Sequence, residues 1–122
     1  MKQAILDTNF IITCVKQKID FFEELRFMGL QVVVPKQVIA ELERLVKTKK
    51  GAAKNQAELT LAILRANIPK LIDLKQNYVD KALINYSKKH KDIIIATLDS
   101  ELKKKLKCNK IVIRNKKKLQ IL

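Results

Sequence analysis

Short apolar runs alternate with longer amphipathic segments along the whole chain, and that alternation is what most limits the fold. Residues 3–6, 31–34, 71–74, 92–97 and 111–113 read as strands, with 119–122 a candidate last edge strand. The segment 92–97 (Asp-Ile-Ile-Ile-Ala-Thr) is the strongest of them. Helical stretches lie between, at 8–15, 18–28, 35–47, 52–66, 78–89 and 101–107. Gly29 suits the end of the second, and Pro35 suits the first turn of the third. In 52–66 the helical spacing puts Leu59, Ala62, Ile63 and Ala66 on one side. Strands separated by helices cannot be joined as hairpins, so the sheet must be mostly parallel and covered on both faces. The expected fold is a three-layer α/β/α sandwich with about five strands.

The chain has 122 residues, the size of a single domain spanning 1–122, and its 48% hydrophobic content is enough for a core without disulfides. Cys14 and Cys108 alone cannot build a zinc site, and a reduced cytoplasmic state is the default for them. Every apolar run is far too short to span a bilayer, and the N-terminal one is too short for a signal peptide. A cytoplasmic protein with no membrane partner is expected. The net charge of +14 attracts polyanions, of which nucleic acid is the commonest. Aromatic residues make up only 5%, so backbone contacts are a better source of affinity than base stacking.

In parallel α/β sheets ligands bind beyond the carboxyl ends of the strands. Asp7 directly follows the first strand and Asp99 follows the segment 92–97. Each also precedes a helix, where Asp is a favoured N-cap, and for either one taken singly the cap is the better reading. Asp80 is different. At about 100° per residue it lies between Leu83 and Ile84 on the apolar arc of its helix. An acid facing the sheet is costly unless paired or metal-bound, though a capping box starting at Asn77 also accounts for it. Glu41 and Glu43 border opposite edges of their helix's apolar stripe, and periodicity does not choose between them. Only 12 acids exist in this basic chain, and four of them can converge at one end of the sheet. Converging carboxylates repel, and a divalent cation is their natural companion, with hard oxygen ligands favouring Mg²⁺ or Mn²⁺. Such a metal among lysines is a layout for phosphodiester hydrolysis.

Three stretches resemble the PIN-domain ribonucleases. Residues 4–12 (Ala-Ile-Leu-Asp-Thr-Asn-Phe-Ile-Ile) look like the family's opening strand, acid and Thr-Asn. In 33–45 the glutamate six residues after Pro35 matches the family's acid, which selects Glu41 over Glu43. Asp80 and Asp99 are 19 residues apart, as the family pattern expects. Leu98 departs from it, because the family often has Asn there. The resemblance covers the whole chain and is closest to archaeal stand-alone PIN proteins related to ribosomal-RNA processing nucleases, overlapping the VapC toxins.

What the resemblance implies is a metal-dependent endoribonuclease leaving a 5′-phosphate and a 3′-hydroxyl. Asp7, Asp80 and Asp99 would hold the metal, with Glu41 acting through a water. Asn9 would line the pocket, and Thr97, Ser100 and Glu101 would be auxiliary, although turn and cap roles suit the last three equally. RNA is the expected substrate. An antitoxin or a pre-ribosome is an open partner, and a homodimer is left open. Lysines at 103, 104 and 105 follow Asp99 closely and are the first candidates to contact RNA, with Lys47, Lys49 and Lys50 as a second group. His90 lies among lysines and reads as exposed. Two rivals remain: a non-catalytic RNA-binding PIN-like module in a ribosome-assembly complex, which would not need the acids, and a phosphoacceptor receiver domain, which usually opens with adjacent acids that this chain lacks after its first strand.

Overall fold

A computed structural model describes residues 2–76 and 78–122. The elements run β1 (Gln3–Leu6), α1 (Thr8–Lys16), α2 (Phe21–Phe27), β2 (Gln31–Pro35), α3 (Lys36–Thr48), α4 (Gly51–Asn67), β3 (Lys70–Ile72), α5 (Val79–Lys89), β4 (Ile93–Ala96), α6 (Ser100–Lys105), β5 (Asn109–Arg114) and β6 (Lys118–Ile121). They build one six-stranded sheet in the order β3-β2-β1-β4-β5-β6. All pairings are parallel except β5 with β6. The chain therefore forms the expected mostly parallel sandwich, extended by one antiparallel edge strand. Asn115 and Lys116, both at positive φ, turn the chain back between β5 and β6.

Strand alternation divides the core. Ala4 and Leu6 of β1, Val32 and Val34 of β2, and Ile94 and Ala96 of β4 face the layer built from α1, α2, α3 and α4. Their neighbours Ile5, Val33, Ile93 and Ile95 face α5 and α6, where Ala82, Leu83, Leu102 and Leu106 cover them. Both faces of each central strand are thus buried, which is why these strands read as continuous apolar runs.

Two expectations about helices need correction. Pro35 is the last residue of β2 and the N-cap of α3, not its first turn. On α4 the buried residues are Ala57, Thr60, Leu61 and Leu64, while Leu59, Ala62 and Ala66 are exposed and Ile63 is only half-buried. Alanine and leucine are spread around this helix, so its spacing fits more than one face. Packing against α3 and α1 selects the face that is buried.

Strand order reverses between β1 and β4, and the helices that follow these two neighbouring strands go to opposite faces of the sheet. That switch point opens a crevice at the carboxyl ends of both strands. No helix among the described residues is long and apolar enough to cross a membrane.

Candidate active site

Asp7 and Thr97 are the first residues past β1 and β4 and lie side by side at the switch point. The backbone places them: β1 and β4 pair through Leu6 and Ala96, and the Asp7 amide donates to the Ala96 carbonyl at 2.9 Å. Asp7 is only 7% exposed, and Thr97 is fully buried. The Thr97 hydroxyl donates to Asp7 Oδ2 at 3.0 Å, and the Thr8 amide donates to Asp7 Oδ1 at 2.9 Å. Asp7 is therefore the N-cap of α1 and lies at the head of the crevice.

From this centre the network extends both ways. The Thr8 hydroxyl donates to Glu41 Oε2 at 2.9 Å, tying α3 to the start of α1. On the other side Thr97 Oγ1 accepts from the Asp99 amide at 3.2 Å. Asp99 in turn caps α6, its Oδ1 accepting from the amides of Glu101 and Leu102 at 2.9 and 3.2 Å. Glu41, Thr8, Asp7, Thr97 and Asp99 form one continuous hydrogen-bonded chain linking α3 to the β1–α1 and β4–α6 junctions.

Asp80 joins through charge. Burial pushes the Asp7 carboxyl up to about 6, against the pull of the Thr97 and Thr8 hydrogen bonds, and the charges of Asp80 and then Glu41 add to the rise. Asp80 is exposed, however, not buried against the sheet. Its angle on α5 matches the apolar arc, but it occupies the first helical turn, which solvent reaches. Tyr78 is the N-cap of α5 and makes no side-chain cap bond, and the candidate cap Asn77 lies outside the described residues. The approach to α5 is pinned by Gln37 of α3, whose amide donates to Asp73 at 2.8 Å and accepts from the Leu74 amide at 3.2 Å.

The remaining expected residues fall as follows. Asn9 and Ser100 are exposed on the first turns of α1 and α6. Glu101 is exposed and lies 4.0 Å from Lys104 Nζ. Lys103, Lys104 and Lys105 form the last turn of α6, with Lys103 half-buried. Lys47 ends α3, and Lys49 and Lys50 link it to α4, all exposed. Leu98 packs against the core. Glu43 points away to Arg65 of α4 at 3.7 Å. Thr8 takes its role in the site only from the structure. Its signal was a polar residue on the same helix face as Ile11, Ile12 and Val15, and the side chain is 3% exposed.

The donor set suits a hard divalent cation. Among the described residues no lysine or arginine forms an ion pair with Asp7, Glu41, Asp80 or Asp99, although the chain carries 26 basic residues. Uncompensated carboxylates beside a half-desolvated one are what a bound cation relieves. Among the described residues no three acids, histidines or cysteines are already gathered tightly enough to hold a metal ion.

A doubly wound sheet with acids placed around its switch point defines a class, and the sequence matches one such family over residues 4–118, described as PIN like domain. This chain belongs to that family. Ribonuclease VapC4 of Methanocaldococcus jannaschii is 38% identical over 127 aligned positions, covering 99% of this chain and 97% of the relative. The rRNA-processing protein fcf1 of Schizosaccharomyces pombe is 31% identical over 107 positions, covering 85% of this chain and 53% of fcf1. The PIN domain endonuclease Utp24 superposes with a TM-score of 0.80 at 26% identity, covering 98% of this chain and 90% of that one. VapBC2 from Rickettsia felis shares the fold at a TM-score of 0.56 and 15% identity, covering 88% and 98%.

Proposed function

We propose that this chain is a metal-dependent endoribonuclease of the cytoplasm, with residues 1–122 acting as one nuclease domain. The observation that carries the reading is the hydrogen-bonded chain from Glu41 through Thr8, Asp7 and Thr97 to Asp99, buried at its centre, exposed at Asp99 and unpaired with any cation among the described residues. The nuclease and rRNA-processing names of its relatives support it.

In this reading Asp7, Asp80 and Asp99 hold Mg²⁺ or Mn²⁺, and Glu41 acts through a water. The cation supplies activation of water and neutralisation of charge at the phosphate. Thr8 and Thr97 keep both Asp7 oxygens aimed, and Thr8 fixes Glu41 at hydrogen-bonding distance from the same centre. Asn9, Ser100 and Glu101 stand at the rim. Lys103, Lys104 and Lys105 hold the phosphate backbone beside the cut. The free thiols of Cys14 and Cys108 fit a reducing compartment. One relative is named a VapC ribonuclease and another an rRNA-processing protein, and both names put RNA at this site.

Asp99→Asn tests the reading, because Asn caps a helix about as well as Asp and α6 should stay folded. Cleavage of a structured RNA with Mn²⁺ is expected to fall more than about 100-fold, since even outer-shell changes cost up to that. RNA binding in EDTA should survive or tighten. Asp80→Asn should behave alike. Undiminished cleavage by both variants would remove these acids from the chemistry. Wild-type protein that binds several RNAs and cuts none with either metal would make it a binding module.

A further inference from the structure

Beyond the acids, the helical layer carries a pocket. The Thr8–Glu41 hydrogen bond joins α1 to α3 at one end. Two turns further along both helices, Lys16 of α1 and Lys49 just past α3 line a single pocket. Ile12 and Leu45, the residues between, line it too. The distance along α1 from Thr8 to Lys16 is about 12 Å at the helical rise. The pocket has a volume of about 320 Å³ and a floor of small side chains from α4, including Ala53 and Ala57.

Three features say what fits there. The walls are aliphatic and the floor is small, which suits a flat, uncharged ring. Gln56 also lines the pocket, and its amide nitrogen Nε2 is buried without a hydrogen-bond partner among the described residues. A buried donor of that kind is costly unless an acceptor meets it. Finally, Lys16 and Lys49 flank the opening, and α4 begins beside it at Gly51 without a side-chain cap, so the rim favours anions on either side of the ring.

We propose that this pocket is a nucleotide subsite of the RNA path, taking one unpaired base. The base lies between Ile12 and Leu45 over Ala53, its edge accepts from Gln56, and its flanking phosphates meet Lys16 and Lys49. The proposal rests on the ribonuclease reading and adds a base preference at a fixed offset from the cut. Unstacked bases in single-stranded segments are the ones a protein reads this way. An apolar peptide is the competing occupant, but the continuity with the acids through Thr8 and Glu41 and the paired lysines favour RNA.

The test uses short single-stranded RNAs carrying each base at each position around a cleavage site, with the full chain and Mn²⁺. Wild type is expected to favour one base about tenfold at a single offset, the discrimination of one base-edge contact. Ala53→Phe fills the pocket from an exposed helix position, and Gln56→Leu removes the amide. In each the preference should fall to within about twofold. The readout is a ratio within one variant, so a changed overall rate does not enter it. A preference unchanged in both variants, or none in wild type at any offset, overturns the subsite. If wild type cuts nothing, the nuclease reading fails by itself, and affinities of the same RNAs in EDTA decide the subsite: base-dependent affinity lost in Ala53→Phe supports it, and base-independent affinity overturns it. RNA affinity untouched by Ala53→Phe, with binding of an acidic amphipathic peptide lost, would assign the pocket to a protein partner instead.

Discussion

Asp7 is held in a position that opposes its own charge. In the unfolded chain it ionises near 3.8, whereas in the fold burial chiefly, with Asp80 and Glu41, raises it to about 6. Between those values the folded state keeps a proton that the unfolded state has released, so stability falls as pH rises and the loss is complete above 6. The penalty is about 3 kcal/mol. Asp7→Asn should therefore be more stable than wild type by up to about 3 kcal/mol at about pH 8 and indistinguishable at about pH 3.5, measured by urea unfolding. An equal difference at both pH values would mean that Asp7 does not titrate there. A gain in stability on removing a residue marks a position kept for another purpose. The same residues show what the sequence makes legible. Asp7 and Asp99 stand out because strand ends are visible in apolar runs. Glu41 is separable from Glu43 only by resemblance, and the bonds to Thr8 and Arg65 are what part them. Asp80 misleads because periodicity gives an angle around a helix and no position along it.

At the scale of elements, strands were legible and helix faces less so. β1, β2 and β4 bury both faces, so their composition alone marks them. α4 shows the limit. Its inward face depends on α3 and α1, which are distant in sequence, and Leu59 is left 51% exposed. Its end is equally unforeseen: Ile68, the C-cap, adopts a left-handed conformation with φ 45°. A β-branched side chain there strains the backbone by about 1–2 kcal/mol, and glycine is the usual occupant. Ile68 is 84% exposed, so little packing is lost with its side chain. Ile68→Gly is expected to stabilise the fold by about 1 kcal/mol after glycine's entropy cost, raising the thermal midpoint by several degrees. A lower midpoint would show that the Ile68 side chain contributes contacts beyond its cap position.

Across the whole molecule, a net charge of +14 surrounds a crevice of uncompensated carboxylates. These opposing fields have separable roles. In the proposed reading the distributed positive charge draws RNA from a distance, and that attraction weakens with salt because each neutralised phosphate releases a counterion. The local negative charge repels phosphate, and in the same reading a bound cation offsets it. Lys103, Lys104 and Lys105 sit where the two meet, one helical turn beyond the Asp99 cap. Replacing all three with Ala should weaken RNA binding about equally for unrelated sequences and reduce the log–log salt slope by up to about 2 for single strands, at roughly 0.7 per contact. Folding should hold, because Lys104 and Lys105 are exposed and alanine favours the helix. Lys104 also pairs with Glu101 at 4.0 Å, but both side chains are 76% exposed and such a pair contributes little. Binding measured in EDTA at several salt concentrations separates the outcomes. A slope that stays at the wild-type value would place the phosphates elsewhere on the basic surface, with the α3–α4 link at Lys47, Lys49 and Lys50 next in line. A reduced slope for one RNA sequence and not for others would mean that these lysines read bases rather than backbone.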